Sequence, residues 1–241
     1  GLCYRAHYSI SGLVTSYGQP TGAVFCFVNI MNKILKGNPE YLACCFDVSR
    51  ETFRQKKFAE YKIQRPPMPD ALVSQMPLIK EVISAYNIGS FELPGYEADD
   101  LIASLAKKAK VSSLEVMIIS SDKDMLQLVD DKIKALDPKK DKEGLIYDRL
   151  EVERRYGVEP KKIVDIIALM GDSTDNIPGV PGVGEKTALA LIREFGSVNN
   201  LIKNAGQVKS GRLRELVLKN LDNIRLSYDL ARLDCDLDIA V

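Results

Sequence analysis

The sequence has a single histidine, His7, and only five cysteines: Cys3, Cys26, Cys44, Cys45 and Cys235. The cysteines are odd in number and scattered, and they lack the spacing of a zinc site, which one histidine could not complete with them. A disulfide framework and a structural zinc are therefore excluded, and buried, reduced thiols in a cytoplasmic protein are expected. Neither sign of charge is in excess, with 33 Lys and Arg against 33 Asp and Glu. Bulk charge thus selects no partner, and any case for nucleic acid rests on how the charges are distributed. No apolar run approaches the roughly 18 residues of a membrane span, and no signal-peptide pattern opens the chain. Long-period repeats and low-complexity tracts are also missing.

What is present is enough apolar material, 46% of 241 residues, for one large or two small domains. "YLACCFD" (41–47) and "LEVMIIS" (114–120) are short apolar runs ending in polar residues, the pattern of strands buried on both faces. "IKAL" and "LIY", around the charged loop "DPKKDKEG", read as further short strands. "MPLIKEVISAYNI" and "DDLIASLAKKAK" repeat apolar residues at helical steps. Alternating strand and helix predicts a parallel sheet with helices on both faces. From about residue 150 strand signals stop, and "LEVERRYG", "PKKIVDIIALMG", "EKTALALIREFG" and "GRLRELVLKNLDNIRLSYDLARL" all read as helix. The glycine closing each of the first three is a stop signal. The expected organisation is an α/β domain over 1–150 and a helical region over 151–241.

The acids fall at informative places on this frame. Asp47 ends the first strand, Asp122 and Asp124 follow the second in "SSDKD", "YEADD" sets Glu97, Asp99 and Asp100 at a helix start, and Asp172 and Asp175 follow another helix. Any one of these clusters taken alone is better explained by capping and turn formation. Together they point to one edge of a sheet, because sites in open parallel sheets form beyond the carboxyl ends of strands. Carboxylates so crowded repel one another and take up protons unless cations hold them. Hard divalent ions with oxygen ligands, Mg²⁺ or Mn²⁺, are the natural cations. Two ions about 4 Å apart could clamp the attacking and leaving oxygens of a phosphodiester. The residues match no EF-hand loop.

"GVPGVGEKTA" resembles a helix–hairpin–helix turn, where N–H groups at a helix start hold a phosphate oxygen without reading sequence. Gly182 and Gly184 allow close backbone approach and Lys186 adds charge; an ordinary αα-hairpin turn is the alternative. The stretch 48–65 carries six basic residues against two acidic, interleaved with Phe53, Phe58 and Tyr61. The stretch 203–225 has the same six-to-two balance, without that aromatic interleaving. Aromatic and basic residues beside a metal site suit a single strand, combining stacking with phosphate contacts.

"TFRQKKFAEYKIQRPPMP", "GYEADD", "SSDKDMLQLV" and "MGDSTDNIPGVPGVGEKTA" together resemble the 5′-nuclease (flap endonuclease) family, in particular the N-terminal 5′→3′ exonuclease domains of bacterial DNA polymerase I. The similarity covers nearly the whole chain in order. It implies an α/β core with a mostly parallel central sheet, a helical arch at about 48–75, and a helix–hairpin–helix (H3TH) region that binds duplex DNA. It further implies Mg²⁺-dependent cleavage of DNA near a 5′ flap, nick or junction, two Mg²⁺ or Mn²⁺ ions, K⁺ at the hairpin turn, and a monomer in the bacterial cytoplasm. A polymerase domain in the same parent chain is compatible with it. By motif, Asp47, Glu97, Asp99, Asp100, Asp122, Asp124, Asp172 and Asp175 resemble the metal-site carboxylates. Lys62, Arg65 and Arg5 resemble basic residues acting on the scissile phosphate, Arg54 and Tyr61 resemble arch contacts to the strand, and Gly182, Gly184 and Lys186 carry the hairpin role. Ser121 stands where the family pattern has Gly, without obvious chemical consequence.

The family also opens with an apolar strand ending in an Asp-Gly-Asn-like motif ahead of "YRA", whereas this sequence starts at Gly1. On the resemblance, one metal-ligand Asp and a central strand precede residue 1, and the 241-residue chain is expected to be impaired as a nuclease. The end at "DLDIAV" likewise looks like a cut. The alternative function is a branched-DNA-binding module that does not cleave.

Overall fold

The structure, a computed structural model, describes residues 1–10, 12–48, 51–138 and 144–240. Parts of the basic stretch 48–65 and of the charged loop 137–144 lie outside these residues, as does Val241. In chain order the elements are α1 (Leu2–Ser9), α2 (Gly22–Leu35), β1 (Ala43–Phe46), α3 (Phe53–Lys57), α4 (Asp70–Val73), α5 (Met76–Ala85), β2 (Gly89–Glu92), α6 (Ala98–Val111), β3 (Val116–Ile119), β4 (Ile133–Asp137), β5 (Leu145–Tyr147), α7 (Arg149–Tyr156), α8 (Ile163–Met170), α9 (Glu185–Phe195), α10 (Val198–Lys203), α11 (Gly211–Lys219) and α12 (Leu221–Ala231). Two compact units emerge, the first made of 1–48 with 66–98, the second of 49–65 with 99–241.

In the first unit β1 pairs in parallel with β2, in register from Ala43 opposite Gly89 to Phe46 opposite Glu92. Its core gathers Phe27 and Met31 of α2, Leu72 of α4, Ile79 and Ile83 of α5, and Phe46 of β1. The start of α2 has no cap from its own Thr21. Buried Gln75 supplies it from a distance, its Oε1 accepting from the N–H of Ala23 at 2.8 Å and of Val24 at 3.3 Å, which satisfies donors a helix start leaves open. All five cysteines are free thiols, yet only Cys26 is buried; the expectation that all would be hidden is too broad. Burial pushes the Cys44 thiol up to about 11, with a smaller push from Cys3.

In the second unit β3 pairs in parallel with β4, and β4 pairs antiparallel with β5. The main core collects α8, α9, α10 and α12 around Ile167, Leu169, Leu191, Leu201 and Ile224. Asp148 caps α7 by accepting from Glu151 N at 2.8 Å, and Ser197 caps α10. The three expected glycine stops are all there: Gly157, Gly171 and Gly196 follow α7, α8 and α9 with φ of 68°, 73° and 79°, a region that strongly favours glycine. The long helical reading of 211–233 is broken at Asn220 into α11 and α12.

One loop of this unit is unusually constrained. After α8 the chain turns through 171–179, where Asp172 and Ile177 form an antiparallel bridge with N···O distances of 2.9 and 2.8 Å. Gly171 and Gly179 lie back to back beneath it. A Cβ on Gly179, at φ 59°, would meet Gly171 N at 2.3 Å, and one on Gly171 would meet Ile177 O at 2.5 Å. Neither contact leaves room for a methyl group, and the neighbours are backbone that cannot swing aside. Gly179→Ala is therefore expected to lower stability by about 3 kcal/mol or more in urea denaturation. Gly206→Ala, which meets open space and ordinary φ, should stay within about 1 kcal/mol.

Candidate functional site

The constrained loop carries two of the expected ligands, Asp172 and Asp175, both buried. Asp172 Oδ1 accepts from Thr174 N at 2.7 Å, an Asx turn inside the loop. Its Oδ2 lies 2.8 Å from Lys123 Nζ. Burial pushes the Asp172 carboxyl up, but the hydrogen bonds from Lys123 and from Thr174 N outweigh it and leave it below the ordinary range.

Asp175 is met by the turn 60–65, more than a hundred residues earlier in sequence. Lys62 N donates to Asp175 O at 2.9 Å, and Lys62 Nζ is 3.5 Å from Asp175 Oδ2. Arg65 forms an ion pair with Asp175 Oδ1. Tyr61 OH donates to Asp175 Oδ2 at 3.4 Å. Further ties run from Gln64 Nε2 to Ser173 O, and from Asn176 Nδ2 to Glu60 O at 2.8 Å. Lys62 holds a left-handed φ of 55° to make these contacts, a conformation a lysine adopts only when its surroundings impose it. The basic pair expected at the arch is thus seated on the acid loop.

Beyond β3, Asp122 Oδ1 accepts from Asp124 N at 3.0 Å and opens a 3₁₀ turn over Lys123–Leu128. Met125 and Leu126 of that turn are buried and fix it in place. Asp124 Oδ1 is buried without a hydrogen-bond partner among the described residues. Burial first, then repulsion from Asp122, Asp175 and Asp172, holds the Asp124 carboxyl well above its ordinary range. These four acids are close enough to feel one another. Among the described residues, however, no three His, Cys, Asp or Glu side chains are gathered to hold a metal ion. Cationic side chains hold Asp172 and Asp175 instead. The donor chemistry fits a hard divalent ion, given the carboxylate oxygens and one buried orphan among them.

In the first unit, Asp47 follows β1 and is exposed, its Oδ1 accepting from Ala98 N at 2.9 Å. That bond brings it beside Glu97, which is buried. Arg5 lies on α1, and its Nη1 is buried with no partner among the described residues. Asp99 and Asp100 belong to the first turn of α6. Gly184 is the N-cap residue of α9 and makes no side-chain cap for the N–H groups that a helix start leaves open, and Lys186 in the first turn is exposed. Gly182 has φ +83° with open space around it.

Three expectations need correction. Arg54 does not reach toward a strand: it is 1% exposed, paired in a fork with Asp100 at 2.7 and 2.7 Å. Its remaining donors go to Leu230 O at 2.8 Å and Arg232 O at 2.9 Å. Asp100, fully buried, also accepts from Asp234 N at 2.9 Å; its oxygens are committed to protein donors, so it is a structural carboxylate. Tyr61 is 3% exposed within the main core, leaving no ring face for a base. The residue the motif reading passed over is Lys123, although it is the one cation inside "SSDKD". Breaking a buried pair strands the partner charge, so Arg54→Ala should cost about 3–5 kcal/mol in urea denaturation. Lys57→Ala, which breaks the half-exposed pair with Asp229, should cost no more than about 1 kcal/mol.

Known proteins share this architecture and sequence. Residues 1–157 match the family model of the 5′-3′ exonuclease N-terminal resolvase-like domain, and residues 158–241 that of the 5′-3′ exonuclease C-terminal SAM fold. A 5′-3′ exonuclease of Aquifex aeolicus is 42% identical over 98% of this chain and 80% of its own length. The thermostable DNA polymerase I of Thermus aquaticus is 40% identical over 100% of this chain, which spans 28% of that protein. Among solved structures, T5 5′-exonuclease with bound zinc superposes with a TM-score of 0.80 at 22% identity, covering 97% of this chain and 86% of that one. The catalytic core of Rad2 with a DNA substrate gives 0.61 at 19% identity, over 97% and 76%. With both family models matched end to end, the chain belongs to the 5′-3′ exonuclease family.

Proposed function

We propose that this protein is a structure-specific 5′→3′ exonuclease and 5′-flap endonuclease that hydrolyses phosphodiesters with divalent metal ions, Mg²⁺ or Mn²⁺. The observation that carries the reading is the seating of Lys62 and Arg65 directly on the Asp175 loop. It sets side chains that bind phosphate against side chains that bind metal, within one constrained loop. Asp122, Asp124, Asp172 and Asp175 are the proposed ligands of the second unit; Asp47 and Glu97, with Asp99, are proposed on the motif. When bound, divalent ions supply positive charge to the attacking and leaving oxygens of the phosphodiester. The zinc in the T5 exonuclease structure supports a divalent requirement here.

The chain's own groups have distinct tasks. Lys62 Nζ and the Arg65 guanidinium bind the scissile phosphate and offset the charge that grows on it in the transition state. Arg65 offers a planar fork suited to two phosphate oxygens, and Lys62 a point charge. Tyr61 orients Asp175 through its hydroxyl rather than by stacking. Arg5, with a buried nitrogen that has no partner among the described residues, is a further phosphate-binding group. At the start of α9 the uncapped N–H groups and Lys186 hold a backbone phosphate of the duplex, with K⁺ at the Gly182–Gly184 turn as part of the same proposal.

The test is cleavage of a 5′-flap DNA duplex with Mg²⁺ and with EDTA. Product is expected with Mg²⁺ only, and none from Asp172→Ala. Lys62→Ala and Arg65→Ala should each lower the single-turnover rate by about 10²–10³. Lys186→Ala should weaken binding across all duplex sequences and reduce the salt slope by about one. Metal-independent binding of the flap without product would instead establish a branched-DNA-binding module.

A further inference from the structure

Lys123 is a cation built into an acidic motif. Its neighbours in sequence are Asp122 and Asp124, and its ammonium bridges to a third carboxylate, Asp172 Oδ2, at 2.8 Å. The 3₁₀ turn that starts at Lys123 is anchored by buried Met125 and Leu126, so its backbone is fixed opposite the glycine-clamped loop. Both oxygens of Asp172 are then occupied, Oδ1 by Thr174 N and Oδ2 by Lys123. The Thr174 bond is internal to the loop and can persist. The Lys123 bond is weakened if Oδ2 coordinates a divalent ion, because two cations beside one oxygen repel each other. Lys123 is 40% exposed on its side chain, so its long stem has solvent to swing into.

We propose that Lys123 is a resident counter-ion that competes with the divalent ion for Asp172 and leaves that carboxylate when metal binds. The inference rests on Asp172 being a metal ligand. It makes Lys123 a determinant of metal affinity rather than a phosphate-binding group. Lys62 and Arg65 neutralise Asp175 in a similar way, but their exchange partner is the substrate phosphate. Lys123 faces carboxylates on both sides of its own motif and on the opposing loop, so its exchange partner is the metal.

The test is Mn²⁺ affinity, measured by electron paramagnetic resonance without DNA. Removing the competing charge should tighten binding about tenfold in Lys123→Gln. Lys123→Arg, which keeps the charge, should stay within about threefold of the wild type. A Lys123→Gln protein that binds Mn²⁺ no better than wild type overturns the proposal, as does an equal gain in Lys123→Arg. A second measurement uses the unaltered protein: acylation of lysine amines followed by mass spectrometry, with and without Mg²⁺. Lys123 should react several-fold faster with Mg²⁺, while Lys107, on α6, serves as the reference; no change at Lys123 overturns the exchange. Asp172→Asn separates the two ideas. If it abolishes Mn²⁺ binding that Lys123→Gln leaves untouched, the metal site stands and the counter-ion role falls. If wild type and Asp172→Asn bind alike, Asp172 is no ligand and both fall.

Discussion

Carboxylates that crowd one another must be matched by cations, and the second unit is organised around that requirement. Burial first, and then repulsion from Asp122, Asp175 and Asp172, keeps Asp124 well above the ordinary carboxylate range. Lys123, Lys62 and Arg65 supply the compensating charge from within the chain. The anions and the cations differ in how they are held. Asp172 and Asp175 ride on a loop locked by the Asp172–Ile177 bridge and by two glycines whose backbones touch. Of the cations, Lys123 and Arg65 keep exposed surface on long stems, whereas Lys62 is largely enclosed. Fixed anions and movable cations form an arrangement in which partners can be exchanged while the backbone stays still.

The pairing of Arg54 with Asp100 uses the same chemistry for the opposite purpose. There both partners are buried, the geometry is a bidentate fork, and the spare donors of the guanidinium reach two carbonyls at the end of α12. Nothing in that cluster has solvent to move into. It ties α3, the start of α6 and the segment after α12 together within one unit, and an exchange would leave a naked charge in an apolar setting. Exposure and the number of committed partners thus divide ion pairs of identical composition into fasteners and switches.

That division explains what could be read from sequence and what could not. β1, β3, β4 and β5 are apolar runs and were visible as such; β2, "GSFE", offers one apolar residue and no pattern. The glycines at 157, 171 and 196 were legible because a positive φ admits little else. The basic turn and the acid loop were each legible as motifs, but their contact, across more than a hundred residues, was not. Nor was the return of residues 49–65 to the second unit, since composition carries no trace of it. Arg54, Tyr61 and Asp100 share motif character with exposed residues, and only burial separates them. Lys123 was hidden because a motif of acids directs attention to the acids.

The local charge balance constrains how ligands can enter. A metal ion alone would release Lys123 beside a site already rich in cations. A phosphate alone would draw Lys62 and Arg65 from Asp175 and leave that buried carboxylate without compensation, a penalty of the kind that raises Asp124 already. Arriving together, metal and phosphate bring opposite charges, and each replaces what the other displaces. With Asp175 as a ligand, as proposed, a divalent ion would take the place of Arg65 while Arg65 turned to the phosphate, so neither charge would be left uncompensated. On this reasoning the pairing of acids with resident cations favours joint binding of metal and nucleic acid over either one alone, and the favour originates in the chain's own ion pairs.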